Sequence, residues 1–155
     1  MENTAGREGT VRGLYVFRER GQPGEPAERA FFQKDKGMEG DRHATGGKRQ
    51  VTLLSGEVRE WMNAQPQPGL CFRRYKANLE TEGLDTAALR PGMVLRAGTA
   101  CFTVSGGGKE CFPECALFRE GEACRLSSGA VFLTVSETGM VLKNDKIKVT
   151  GGVSL

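Results

Sequence analysis

The sequence predicts a mostly β protein, built as an antiparallel barrel or sandwich with one clear helix. Three observations support this fold class. Short apolar runs rich in β-branched and aromatic residues recur along the chain, 22 glycines are spread between them, and one segment alone carries apolar residues at helical spacing. The length of 155 residues suits a single domain, 1–155, whose core we expect over about residues 10–150.

The first half of the chain contains three predicted strands separated by loops. Each strand is a short run of β-branched, aromatic or aliphatic residues, and each loop is rich in glycine together with proline or charged residues. The predicted strands cover 10–17 ("TVRGLYVF"), 27–32 ("AERAFF") and 50–54 ("QVTLL"), and the loops cover 21–26 and 36–49.

The clear helix is expected over 55–65, "SGEVREWMNAQ". Ser55 can accept a hydrogen bond from an amide of the first turn, and Glu57 suits the positive end of the helix dipole. Pro66 and Pro68 then end the helix. One apolar stripe at spacings of three and four residues is formed by Val58, Trp61 and Met62.

The second half is again strand-like. We expect a weakly alternating strand, a short helical turn capped by Asp85, two strands joined around Ala97–Gly98, and a closing meander of three strands. In chain order these segments cover 77–83, 85–92, 93–98, 100–105, 130–136, 139–143 and 146–150.

Charge and hydropathy narrow the classes of partner. The net charge of +3 suits small anionic ligands, whereas nucleic-acid-binding domains usually carry a denser stripe of lysine and arginine. The first residues, "MENTAGREG", lack the apolar stretch of a signal peptide, and no apolar run approaches the ~18 residues of a transmembrane helix. We therefore expect a cytoplasmic protein without nucleic-acid or membrane partners, whose thiols stay reduced.

Three of the five cysteines stand in "GGGKECFPECALFREGEAC", at Cys111, Cys115 and Cys124. An odd total argues against a complete disulfide framework. The spacing, C-x3-C-x8-C, lacks the C-x2-C pair of most structural zinc sites, and His43 is the one histidine of the chain. A zinc site made from these three thiols and His43 stays open as an alternative on ligand number.

A reactive thiol is a second interpretation of this segment. The glycines before Cys111 permit positive φ angles and an array of backbone amides, and Lys109 adds positive charge; both favour a thiolate. Glu110 and Glu114 act in the opposite direction. Alternatively, Cys111 and Cys115 are small apolar fillers at a loop edge. Two further cysteines with apolar neighbours are predicted to be buried core thiols: Cys71 and Cys101.

The loop "GMEGDRHA" is a candidate anion site. Arg42, together with Arg49 further on, can bind phosphate or carboxylate through two hydrogen bonds, and His43 can titrate, ligate a metal or donate to phosphate. Alternatively, Asp41 and Arg42 form an ion pair that holds a turn, and His43 packs against the protein. A further basic run either lines the same pocket or is a solvated loop; it contains Arg73, Arg74 and Lys76.

Taken together and in this order, these segments resemble a small stand-alone bacterial protein of the MOSC family, named after the C-terminal domain of molybdenum cofactor sulfurase. The resemblance runs from about Thr10 to Val149 and implies a twisted antiparallel β-barrel with one or two short helices. It also implies a link to the molybdenum cofactor: binding it, carrying sulfur to it, or both. It rests on "GMEGDRHA", "RQVTLLS", "ANLETEGLD", "LRPGMVLRAGTACFTVS", "GGGKECFPECALF" and "ACRLSSGAVFLTVSETGMVLKNDKIKV".

The resemblance implies roles for individual residues. Cys111 matches the cysteine that contacts molybdenum in larger relatives, and Arg42 and Arg49 match basic residues that hold the pterin phosphate. Asn78 matches the asparagine of the family's "EN" element. The expected cofactor-binding residues are Arg42, His43, Arg49, Asn78 and Lys109, with Cys111 as the metal ligand.

The chain departs from the family pattern at two points. Ala77 precedes Asn78 where relatives have an acidic residue, which leaves the role of this position open. The late turn carries Asn144-Asp145 in place of Gly-Asp, a mild change because asparagine also tolerates positive φ angles.

These observations predict a protein that binds the molybdenum cofactor (molybdopterin) or carries sulfur to it, although the cofactor need not remain bound on purification. Cys111 would hold a persulfide and Cys115 would attack it, with a sulfur-donor protein and an acceptor molybdoenzyme as partners. One alternative is a small molybdenum-dependent oxidoreductase acting on N-oxygenated compounds, which needs an electron donor. The other is a zinc-stabilised structural domain.

Overall fold

The computed structural model of the chain describes residues 7–19, 24–42, 44, 46–47, 50–64, 77–107 and 130–151. Within these ranges it contains eleven strands, one α-helix and one turn of 3-10 helix at Thr86–Ala88. The helix α1 is Gly56–Ala64. The strands are β1 Glu8–Val16, β2 Glu25–Ala27, β3 Arg29–Gln33, β4 Gly37–Met38, β5 Val51–Ser55, β6 Leu79–Glu82, β7 Val94–Ala97, β8 Ala100–Gly107, β9 Ala130–Glu137, β10 Gly139–Leu142 and β11 Lys146–Gly151.

Seven strands form a closed barrel in the order β11-β7-β8-β9-β5-β6-β1. The barrel closes where Glu8–Thr10 of β1 pairs with Lys146–Lys148 of β11. The mostly β barrel predicted from the sequence is confirmed. Its strand pairs are antiparallel except for β5 and β6, which run parallel because α1 lies between them in the chain and returns it to the starting end.

Strand β1 is shared between three partners along its length. Its first residues pair with β11, its middle with β6, and its last residues, Leu14–Val16, with β2. The register shifts between Val11 and Gly13, which marks a bulge. A bulge increases local twist, which helps β1 to turn from β11 to β2 along one edge while its other edge stays paired with β6.

A second, three-stranded sheet has the order β10-β3-β4. The predicted closing meander is therefore wrong in its pairings, although all three of its strands exist. Strand β10 pairs with β3, and β11 pairs with β7 and β1. The physical reason is that β9 is flanked by β5 on one side and β8 on the other, so it has no free edge for β10.

Loop and turn predictions differ from the structure in detail. Glu25–Ala27, at the end of a predicted loop, forms the short strand β2, and Gly37–Met38 forms β4 inside another. Asp85 stands at the N-cap of the 3-10 turn, as expected, but its side chain makes no capping hydrogen bond. Asn144 has a φ of 78°, so the expected tolerance of positive φ is used at the late turn.

The main core fills the barrel, and Phe32 from the small sheet packs edge-to-face on Phe102, with ring centroids 5.0 Å apart. A second, smaller apolar cluster lies beneath α1, where Trp61 packs partly buried. Strand β5 serves both clusters, since Leu53 belongs to the first and Leu54 to the second. The second cluster consists of Leu54, Val58, Ala77, Ala130 and Phe132.

The helix begins and ends close to its predicted limits. Ser55 Oγ lies 3.4 Å from the Val58 amide, the position expected of a capping side chain. Glu57 accepts a hydrogen bond from the Gly83 amide at 2.9 Å, which ties the first turn to the end of β6. No helix in the described part of the chain is long and apolar enough to span a bilayer.

Candidate functional site

The candidate anion loop is held against the barrel by a buried carboxylate. Asp41 is 7% exposed, and its Oδ1 accepts hydrogen bonds from the Phe17 amide at 2.7 Å and from Asn78 Nδ2 at 3.0 Å. Asp41 thus holds a turn, as one interpretation of the sequence expects, and its partners include Phe17 and Asn78. A carboxylate buried in this way is stable only because hydrogen-bond donors replace water.

Asn78 is fully buried beside this carboxylate. Its Oδ1 accepts hydrogen bonds from the amide and hydroxyl of Thr52 at 3.1 and 3.2 Å. Its Nδ2 donates to the Tyr15 carbonyl at 3.1 Å and to Asp41. Protein groups fill its hydrogen-bonding capacity, so any contribution of Asn78 to a ligand site passes through the loop that it holds.

Arg42 follows Asp41 and is exposed. Its backbone amide donates to the Phe17 carbonyl at 2.7 Å, while Asp41 accepts from the Phe17 amide. Both backbone groups of Phe17 are therefore engaged by two consecutive loop residues. These hydrogen bonds fix the backbone from which the Arg42 side chain extends, and the residue itself is exposed at the surface.

The far end of the same loop is held by a second buried amide. Gln50, 4% exposed, donates through Nε2 to the Gly47 carbonyl at 2.9 Å and accepts from the Val135 amide at 3.0 Å. Gly37 begins the loop with a φ of 137°, and a Cβ there would lie 2.7 Å from the Gln50 carbonyl oxygen. The loop thus requires glycine at this close approach.

A row of neighbouring strand residues connects the loop to the start of the cysteine segment. Tyr15, Asn78, Thr52, Phe132 and Gly106 follow one another across adjacent strands. At ~4.8 Å per strand, about 14 Å separates Asn78 from Gly106. Gly106 is five residues before the first of the three clustered cysteines.

The structure therefore places three sequence-distant segments at one level of the sheet: the loop of Arg42, the residues around Asn78, and the end of β8 at Gly106. Several of the predicted site residues lie outside the described part of the chain, so their positions stay predictions. These are His43, Arg49, Lys109, Cys111, Cys115 and Cys124, together with Cys71, Arg73, Arg74 and Lys76.

A polar cluster that the sequence did not suggest lies between α1 and the barrel. Glu80 is 7% exposed, and Arg59 of α1 donates to it at 3.0 Å. Burial raises the pKa of Tyr15, and the neighbouring Glu80 charge and hydrogen bond raise it further. Arg12 pairs with Glu60 at 2.8 Å, and this bond raises the pKa of Arg12. These contacts fasten the helix to β1 and β6.

Cys101 is buried, as predicted. Burial raises the pKa of its thiol, and the hydrogen bond to Glu137 raises it further. The same bond lowers the pKa of Glu137, which also pairs with Arg96 at 3.1 Å. The thiol is therefore held in its protonated form and lacks the environment of a reactive cysteine.

Within the ranges that the structure describes, no three His, Cys, Asp or Glu residues lie close enough together to hold a metal ion. The three clustered cysteines and His43 fall outside these ranges. Both the zinc and the molybdenum interpretations concern these residues, so both stay predictions.

Comparison with known proteins identifies solved structures that have a similar fold. No protein-family model matches the chain, and no curated protein matches it in sequence. The solved structure of YuaD from Bacillus subtilis is similar, with a TM-score of 0.65 and 17% identity over 90% of this chain and 94% of that one. YiiM from Geobacillus stearothermophilus has a TM-score of 0.64 and 14% identity, covering 92% and 75%. YiiM from Escherichia coli has a TM-score of 0.58 and 17% identity, covering 94% and 72%. The chain therefore has the fold of YuaD and YiiM, conserved here at low sequence identity.

Proposed function

We propose that this chain is a MOSC-type protein that binds the molybdenum cofactor or a precursor of it. The fold neighbours YuaD and YiiM are MOSC-domain proteins, which supports the family resemblance of the sequence motifs. In this proposal Arg42 binds the anionic part of the ligand, and Cys111 is the thiol that meets the metal or carries sulfur.

The observation that carries the proposal is the anchored position of Arg42. Its backbone is fixed by the buried hydrogen bonds of Asp41 and Phe17, yet its side chain is exposed. An ordered backbone at Arg42 removes that part of the entropy cost when the guanidinium forms two parallel hydrogen bonds to a phosphate. This exposed guanidinium supports a role in binding a phosphate such as that of a pterin cofactor.

The remaining residues extend this site in the proposal. Arg49, His43 and Lys109 add positive charge or donors around the phosphate, and Cys111 supplies a thiolate, a suitable ligand for a soft metal. When bound, the cofactor would supply a redox-active metal centre that can accept sulfur. Asn78 and Gln50 hold the loop rather than the ligand, since their side chains are engaged with protein groups.

Sulfur transfer needs a donor and an acceptor, and we propose both as partner proteins. A donor would leave one sulfane sulfur on Cys111 as a persulfide. Attack by the Cys115 thiolate on the inner sulfur would form a disulfide between the two cysteines and release the outer sulfur as hydrosulfide. A reductant of the thiol class would then regenerate both thiols.

The test is metal analysis with native mass spectrometry on protein from cells that make the cofactor. Wild type is compared with Cys111→Ala and Arg42→Ala. We expect molybdenum with a pterin-sized mass in wild type, lost in the first variant and reduced in the second. A gain of one sulfur without molybdenum supports the carrier role alone. One zinc per chain, lost with Cys111, would contradict the proposal and support a structural metal site.

A further inference from the structure

We propose that Asn78 is a positioning residue, which acts through Asp41 to set the direction of the Arg42 side chain at the anion site. This inference rests on the proposed function, because it concerns the same site. In this inference Asn78 itself makes no contact with the ligand. The clamp that it describes consists of Asn78, Asp41 and Phe17, and we refer to these three residues as the loop clamp.

The chemistry of the clamp requires an amide at position 78. One side of the Asn78 side chain faces donors, the amide and hydroxyl of Thr52. The other side faces acceptors, the Tyr15 carbonyl and the Asp41 carboxylate. Asparagine carries an acceptor and a donor group on one short side chain, so it satisfies both sides at once.

The clamp is linked directly to Arg42, which follows Asp41 in the chain and donates its amide to Phe17. Asp41 is bound by Asn78 and by the Phe17 amide, and the next residue returns a hydrogen bond to the Phe17 carbonyl. Releasing Asp41 would therefore free both the Phe17 amide and the loop backbone that carries Arg42. The guanidinium would then sample more directions and bind an anion more weakly.

The experiment has two measurements on the full chain. Amide hydrogen exchange reports the order of the loop, and an NMR titration with inorganic phosphate reports anion binding. The variants are Asn78→Asp and Arg42→Ala. Asn78→Asp removes the donor and brings two carboxylates together where the bond is now 3.0 Å long.

We expect Asn78→Asp to lower exchange protection of the Phe17 and Arg42 amides by about tenfold or more. We expect it to weaken phosphate binding nearly as much as Arg42→Ala does. Amides elsewhere in the barrel should keep their protection, which general destabilisation would not allow. If Asn78→Asp does not fold, Asn78→Ala takes its place, since alanine removes the donor to Asp41 without adding a charge.

Glu80→Gln is the control. It exchanges a carboxylate for an amide at a buried site outside the loop, where the partner is Arg59 of α1. We expect it to leave exchange at Arg42 and phosphate binding close to wild type. Equal losses in Glu80→Gln and Asn78→Asp would overturn the positioning role.

The outcomes also separate the two proposals. Phosphate binding that is weakened by Arg42→Ala but unchanged in Asn78→Asp, or in Asn78→Ala where that variant replaces it, would overturn the positioning role alone. Binding that is unchanged in Arg42→Ala would overturn the anion site of the proposed function, and the positioning role with it.

Discussion

At the scale of single residues, some buried polar side chains have hydrogen-bond partners and one has none among the described residues. Asn78 and Thr81 are both fully buried. The Asn78 side chain is fully engaged, whereas the Thr81 hydroxyl has no hydrogen-bond partner among the described residues. An unpaired buried hydroxyl costs about 1–3 kcal/mol relative to its solvated state, so the two residues should respond to substitution in opposite ways.

We predict that Thr81→Val raises the free energy of unfolding by about 1 kcal/mol, because valine has nearly the same shape without the unpaired hydroxyl. The measurement is equilibrium unfolding in urea. Thr52→Val is the control: its hydroxyl lies 3.2 Å from Asn78 Oδ1, so its loss should destabilise the fold by about 1 kcal/mol. A less stable Thr81→Val variant would show that the hydroxyl has a partner in solution.

We predict that Cys101 reacts slowly with N-ethylmaleimide in the folded protein at neutral pH, because burial and Glu137 raise the pKa of its thiol. A raised pKa leaves less thiolate at a given pH. Glu137→Gln removes one of these causes and leaves Arg96, which lowers the pKa. The curve of reaction rate against pH should therefore shift to lower pH and the rate at pH 7 should rise several-fold. Peptide mapping by mass spectrometry isolates this cysteine from the other four, and an unshifted curve would assign the effect to burial alone.

At the scale of elements, α1 is attached to the barrel by apolar and ionic contacts. Trp61 packs on the cluster below the helix, while Arg59 and Glu60 form ion pairs with β6 and β1. The pair between Arg59 and Glu80 is the more buried of the two, with side-chain exposures of 27% and 9%. The exposed Arg12–Glu60 pair should contribute less, since solvent screens it.

We predict that Arg59→Ala lowers the free energy of unfolding by about 1–3 kcal/mol, because Glu80 is left buried without its cation. Adding Glu80→Gln should recover most of this loss, since a neutral amide is easier to bury. Urea unfolding measures both. Glu60→Ala, which removes only the exposed pair, should change stability by less than about 1 kcal/mol. A loss of equal size in Glu60→Ala would contradict the assignment.

At the scale of the whole molecule, the fold depends on the closure of the barrel between its first and last strands. Residues Glu8–Thr10 pair with Lys146–Lys148, near the two limits of the described chain. Gly9 lies at this seam, and a Cβ there would stand 2.6 Å from the Glu82 carbonyl oxygen and 2.8 Å from the Leu84 amide nitrogen. Backbone atoms cannot move aside as a flexible side chain can, so this contact makes glycine necessary.

We predict that Gly9→Ala lowers the free energy of unfolding by about 1–3 kcal/mol, because β1 and the end of β6 must move apart to admit the methyl group. Gly106→Ala is a matched control on β8, since a Cβ there would meet no described atom within 4 Å. It should be neutral or stabilise by up to about 1 kcal/mol. Urea unfolding of both variants provides the measurement, and a neutral Gly9→Ala would mean that β1 and the end of β6 are not tightly packed at this point.

Much of this architecture is readable from local sequence. The mostly β class, the helix, most of the strands and the asparagine turn at Asn144 follow from short-range patterns, because each depends on the preferences of a few neighbouring residues. The loop of Arg42 and the buried Cys101 follow in the same way. The sequence singles out Asp41 and Asn78 separately, but no local pattern predicts the hydrogen bond between them, which spans 37 residues.

Strand pairing and the burial of polar groups depend on which segments meet in space. The three closing strands form no meander because β9 has neighbours on both sides, and β5 runs parallel to β6 because a helix lies between them. For the same reason Asn78 holds a loop and Glu80 fastens a helix. Local patterns specify conformation, whereas these contacts join residues far apart in the chain and arise when the barrel closes.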